Sequence, residues 1–162
     1  MIRTALLLAA LLFGLSAPPA EALSCRRPDV ARSFQAADTS PERYVVVLGQ
    51  LDFDATPPPK TRPGQPPQPR RLRARLQGRG VTPTGFGAWV DRDITVEITC
   101  VSAWCGSVPK FEQMLMFLRQ SGNGLTLEAG PCPQFHFPSP TAADLATLRR
   151  CLSGAPCTPR SR

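Results

Sequence analysis

Six cysteines, none before residue 25, constrain this chain more than any other feature: Cys25, Cys100, Cys105, Cys132, Cys151 and Cys157. An even set behind an export signal reads as three disulfides made in an oxidising compartment. A structural zinc site would need paired Cys-x2-Cys spacings, and the sequence has none. The export signal itself is complete. Arg3 supplies the positive start, Ala5 to Leu15 is apolar apart from Gly14, and small residues follow. Ala20-Glu21-Ala22 fits cleavage after Ala22, leaving Leu23 as the mature N-terminus. Ala22-Leu23-Ser24 is a second match and would put Cys25 first. A lipid anchor on Cys25 is disfavoured, because such sites usually carry Leu where Ala22 stands. The apolar run is too short to cross a bilayer, and no later segment is long enough for a transmembrane helix. The chain is therefore expected to be periplasmic or extracellular.

Removal of the first 22 of 162 residues leaves 140, enough for one domain over 23–162 that buries a core of its own. The disulfides then reinforce a fold that does not depend on them. The formal net charge is +7, and its source is local. Lys60, Arg62, Arg70, Arg71, Arg73, Arg75 and Arg79 follow one another with no acidic residue among them. Such a stretch could meet an anionic partner, whether a polyanion, a lipid or lipopolysaccharide surface, or an acidic protein. Nucleic acid is not expected, since no aromatic platform lies between Phe53 and Phe86 and export removes the chain from most nucleic acid. The competing reading of Arg71, Arg73 and Arg75 is a solvated strand face.

Periodicity outlines a mainly β chain. Tyr44 to Phe53 is a β-branched strand whose first half is apolar on both faces. Seven prolines between Thr56 and Pro69 make 56–70 a Pro-rich, extended loop. Arg71 to Leu76 alternates, with Leu72, Ala74 and Leu76 inward. Gly78, Gly80, Pro83, Gly85 and Gly87 signal turns and bends, and Ile94 to Cys100 alternates again. Met114 to Leu118 is continuously apolar. The turn Ser121-Gly122-Asn123-Gly124 and the alternating Leu125 to Ala129 make it the first strand of a hairpin. One helix starts near Pro140 with a capping box at Thr141 and Asp144, places Leu145, Leu148, Cys151 and Leu152 on one face, and stops at Gly154. A short helix over Asp29 to Ala37 precedes the strands, and 155–162 reads as a flexible tail. Five strands, a long loop and a terminal helix suggest a five-stranded OB-type barrel, which removes the edges that short strands would leave exposed.

Cys105-Gly106 followed by the apolar strand Met114 to Leu118, then Leu125-Thr126-Leu127, Pro131-Cys132 and Phe135 to Ser139 before the helix, resembles the netrin-like domain of the tissue inhibitors of metalloproteinases. Cys25 followed by Phe34-Gln35-Ala36-Ala37-Asp38 is similar to that family's N-terminal segment. The resemblance implies a five-stranded OB barrel with packed helices, and it implies that Cys25 pairs with Cys132, tying the N-terminal segment to the fifth strand. Cys105 then falls to Cys100, and Cys151 to Cys157. It also implies an inhibitory tip, in which the first residue's α-amine and carbonyl chelate a protease zinc and the second side chain enters a pocket. Leu23 and Ser24 stand at those places. The family, however, starts Cys-x-Cys, and here Leu23 occupies the first cysteine's position and Gln35 the third's, so the tip lacks its own disulfide.

Other chemistry finds little support. His136, the single histidine, reads as a packed residue, since a zinc site needs three or four ligands. Ser107 or Ser139 would need that histidine as a base, and no motif orients it. Asp52, Asp54, Asp91 and Asp93 read as strand-end or solvated residues, and Trp89 and Trp104 as core or rim packing. Gly85-Phe86-Gly87 is too short to cradle a phosphate. The expectation is a non-enzymatic binding module with no cofactor and no metal, directed to a protein or to an anionic macromolecule.

Overall fold

The computed structural model describes residues 23–54 and 65–160. The first 22 residues, expected to be an export signal, lie outside the described residues, as do Lys60, Arg62 and most of the Pro-rich loop. Helix α1 (Val30–Asp38) leads into β1 (Arg43–Asp52), β2 (Arg70–Thr82) and β3 (Gly85–Ile98). A two-residue ribbon follows, β4 (Cys100–Val101) with β5 (Trp104–Cys105), and then β6 (Met114–Ser121), β7 (Gly124–Ala129), β8 (His136–Pro138) and α2 (Ala142–Leu152).

Five of these strands close a barrel of the OB type. β1 pairs antiparallel with both β2 and β6, β2 with β3, and β6 with β7, while β3 and β7 run parallel. β8 takes the part of the β6 edge that β7 leaves, pairing Met114 to Met116 with His136 to Pro138. No backbone edge of β6 is then left bare along its apolar half.

β6 is also where two cores meet. Met114, Met116 and Leu118 point into the barrel beside Val47, Leu51, Leu76, Val96 and Leu127. Leu115 and Phe117 point outward into a second cluster with Val30, Val81, Phe137 and Leu148, beneath the two helices. Two-sided burial is the physical reason that this strand is apolar at every position. Each of these side chains contributes about 1.5–3 kcal/mol by leaving water.

The helices obey their end signals. Asp29 caps α1 by accepting from the Arg32 N–H at 2.9 Å. At α2 the Asp144 N–H donates to the Thr141 hydroxyl at 3.2 Å, and the Thr141 N–H donates to the Asp144 carboxylate at 3.0 Å. Asp thus completes a capping box in place of the usual Glu or Gln. The stretch expected to be a flexible tail is tied down over 155–160. Cys157 is bonded to Cys151, its carbonyl accepts from the Gln35 side-chain amide at 2.8 Å, and the Arg160 N–H donates to Asp29 at 2.9 Å. The Arg160 guanidinium also pairs with Asp144.

The glycines expected to mark bends do something else. Gly78 and Gly80 lie inside β2 and Gly87 inside β3, and the chain turns only at Pro83-Thr84. Gly49 and Gly78 are register partners, and a Cβ on Gly49 would sit 2.3 Å from the Gln77 carbonyl oxygen. The pair lets the backbones of β1 and β2 come together more closely than any side chain would allow. At Gly80 the β2–β3 register shifts, which is a bulge rather than a bend.

All six cysteines are paired as the resemblance implies: Cys25–Cys132, Cys100–Cys105 and Cys151–Cys157. Cys132 lies beyond Ala129, the end of β7, so the first of these holds the N-terminal segment to the turn after the strand and not to the strand itself. Its partners are 107 residues apart in sequence, so it removes the most freedom from the unfolded chain, on the order of 4 kcal/mol. A Cys25→Ser/Cys132→Ser double variant should lose about that much in urea unfolding and keep its far-ultraviolet spectrum. Gly49→Ala should cost about 3 kcal/mol by forcing β1 from β2, and an unchanged midpoint would refute the close-approach argument.

Candidate functional site

One end of the barrel collects most of the irregular chain. β1, β3 and β7 finish there and β2 and β6 begin there, as the pairings of Ile98 with Ala129, Arg70 with Ile98 and Gly49 with Met114 require. The 99–113 connection crosses this end and is pressed onto β7. The Thr99 N–H donates to the Ala129 carbonyl at 3.0 Å, and the Gly106 N–H donates to the Thr99 carbonyl at 2.9 Å. A Cβ on Gly106 would meet the Ala129 carbonyl oxygen at 2.0 Å, so only glycine allows this seat.

From that root projects the β4–β5 hairpin, closed by Cys100–Cys105 with a Cα–Cα distance of 4.0 Å. A loop this small has no interior. Val101 and Trp104 therefore face solvent, Trp104 at 53 % exposure. The Cys25–Cys132 bond brings Leu23 and Ser24 to the same end, both exposed. Phe111 joins them at 60 % exposure, held at φ 57 by donating its N–H to the Leu51 carbonyl at 2.9 Å. A positive φ is costly for a bulky side chain and persists only where its surroundings enforce it. The Lys110 ammonium lies 4.8 Å from the Phe111 ring centroid and bridges to Asp52 at 3.0 Å. The result is a ridge of exposed apolar side chains on disulfide-anchored loops.

Trp104 thus departs from the core or rim placement expected of it, and so does Trp89, which is 64 % exposed on β3. The sequence reading singled out Leu23 and Ser24 and missed Val101, Trp104 and Phe111 as ridge residues. The available signal was the spacing of Cys100 and Cys105, since an apolar residue inside a six-residue disulfide ring cannot be buried by that ring.

The basic stretch changes character in three dimensions. Arg71 pairs with Glu97 at 2.8 Å, Arg75 with Asp91 at 2.6 Å and Asp93 at 3.5 Å, and Arg73 lies 3.8 Å from Asp93. Arg119 reaches the other oxygen of Glu97 at 3.0 Å. Arg71, Arg73 and Arg75 of β2 therefore sit against the carboxylates of β3 across the hairpin, and the local field there is that of a mixed-charge ladder. Charges adjacent in space but 16 to 26 residues apart in sequence make the pattern invisible to a count along the chain.

The candidate catalytic groups do not assemble. Ser139 donates to Glu112 at 2.8 Å, while the buried His136 Nδ1 has no partner among the described residues. Burial holds the His136 imidazole below its ordinary pKa, an effect partly opposed by the Ser107 backbone. At Asp144 burial raises the pKa, but hydrogen bonds from Thr141 and the Arg160 cation outweigh it and leave the carboxyl below its usual range. No three His, Cys, Asp or Glu side chains cluster as a metal site among the described residues, and no helix among them is long and apolar enough to cross a membrane. Three disulfides are bonds of an oxidising environment. Comparison with protein-family models, with characterised proteins and with solved structures finds no match for this chain.

The buried histidine has a measurable consequence. Its folded pKa is depressed, so below about 6.5 the unfolded chain binds the proton first and stability falls with falling pH. The slope should approach about 1.4 kcal/mol per pH unit between pH 6.5 and the folded pKa. The Asp144 contribution is lost only below about pH 4, so urea midpoints between about pH 7 and 5 isolate the histidine. His136→Gln should flatten that segment.

Proposed function

We propose that this chain is an exported, non-enzymatic module that binds another protein through the loop end of its barrel, in the manner of the netrin-like inhibitors it resembles. The observation that carries the reading is Trp104 with Val101, exposed on a disulfide-closed hairpin at the end of the barrel to which Cys25–Cys132 ties the N-terminal segment. Large apolar side chains held rigid before binding lose little entropy on contact, and tryptophan is the residue most often found at the energetic centre of an interface. The export signal places the module in the periplasm or outside the cell, where its disulfides persist.

The protease-directed form of the proposal depends on cleavage after Ala22. The Leu23 amine and carbonyl would then present two donors to a catalytic zinc, with Ser24 following into the adjoining pocket. This tip is anchored two residues away, at Cys25, so its affinity is set by the neighbouring hairpin more than by its own rigidity. The alternative, attachment to polyanions through Arg71, Arg73 and Arg75, is weakened by the carboxylates that already face those arginines.

At micromolar concentration, the mature protein should slow at least one enzyme in a panel of zinc endopeptidases. A single residue added ahead of Leu23 should relieve the inhibition by about tenfold or more, and Trp104→Ala likewise. A panel left fully active would end the protease-directed form. Photo-crosslinks from position 101 that form equally well in Trp104→Ala would end the ridge.

A further inference from the structure

Away from the ridge, on the outer wall of β1, β2 and β3, a groove of about 310 Å³ lies over the Gly49–Gly78 contact. Direct register partners share a face, which places Leu48, Arg79 and Trp89 in one row and Gln50 and Gln77 in the next. Phe86 and Gln113 complete the walls. Trp89 and Phe86 are both exposed at this one concavity.

The charges there are arranged unlike those of the neighbouring ladder. The guanidinium of Arg79 lies 5.8 Å from the Phe86 ring centroid, and that of Arg149, from the last turn of α2, lies 5.1 Å from the same ring. Neither arginine has a carboxylate within ion-pair distance among the described residues, and the buried Arg149 Nε has no hydrogen-bond partner. Asp91, the nearest carboxylate in the register, is held by Arg75 at 2.6 Å. Arg79 lines the groove as a cation with no carboxylate partner among the described residues, and an anionic ligand would supply one.

We infer that this groove binds an acidic saccharide, a chain of uronate-type sugars. The flat apolar face of a pyranose ring would stack on Trp89. The amides of Gln50, Gln77 and Gln113 supply donors and acceptors in the mixture that sugar hydroxyls demand. Arg79, which lines the groove, takes the carboxylate, the geometry for which a guanidinium is suited. The volume is that of a small-ligand site.

The mature, oxidised protein titrated calorimetrically with oligogalacturonate at low salt should bind it, and should bind an uncharged cello-oligosaccharide of equal length at least about tenfold more weakly. Trp89→Ala and Arg79→Gln should each weaken binding by about tenfold, while Arg73→Gln, on the ion-paired ladder, should leave it unchanged. Trp89 and Arg79 are surface side chains, and retention of all three disulfides with an unchanged far-ultraviolet spectrum shows that the variants fold. Absence of binding, binding indifferent to Trp89→Ala, or equally tight binding of polyglutamate or oligothymidylate would overturn the inference. None of these outcomes bears on the protein-binding ridge at the other site.

Discussion

Closure of the barrel rests on β1, which is hydrogen-bonded on one side to β2 and on the other to β6. The ring is completed because β2 pairs with β3, β3 with β7 and β7 with β6, and at Gly49 and Gly78 the backbones of β1 and β2 come into close contact. Once the sheet is closed, five strand ends meet at one pole, and the loops there have a rigid frame from which to project. The N-terminal segment has no strand to hold it to that pole. The Cys25–Cys132 bond does so instead.

The same closure separates three kinds of surface. At the pole, anchored loops display apolar side chains. Along the β2–β3 hairpin, arginines and carboxylates satisfy one another, which suits a face exposed to water and gives little net field. Over the Gly49–Gly78 contact, aromatic rings share one groove with Arg79, a cation that has no carboxylate partner among the described residues. A net charge of +7 therefore says less about partners than the few cations left uncompensated after folding.

Much of the architecture was legible because it follows from periodicity and end signals. Alternation in Arg71 to Leu76, the Ser121 to Gly124 turn and the capping box at Thr141 each express a local rule, and each appears as read. The failures have a common cause. Gly78 reads as a bend because its reason for being glycine, the neighbouring β1 backbone, belongs to a strand elsewhere in the chain. The compensation of Arg75 by Asp91 and the exposure of Trp89 and Trp104 likewise depend on pairing across the fold. The tail was read as loose since nothing local shows that Arg160 reaches Asp29, the cap of the first helix. The two-residue β4 and β5 and the three-residue β8 are too short to leave a period.

The double burial of β6 also bears on how the protein comes to be made. Met114 to Leu118 is an uncharged apolar pentad, a segment type that self-associates readily when left uncovered. Covering it requires β1, more than sixty residues upstream, together with β8 and both helices, and so waits upon distant contacts that assemble slowly. Until its cysteines are oxidised and the barrel has closed, the nascent chain carries an adhesive stripe guarded only by Arg119 at one flank and Glu112 near the other.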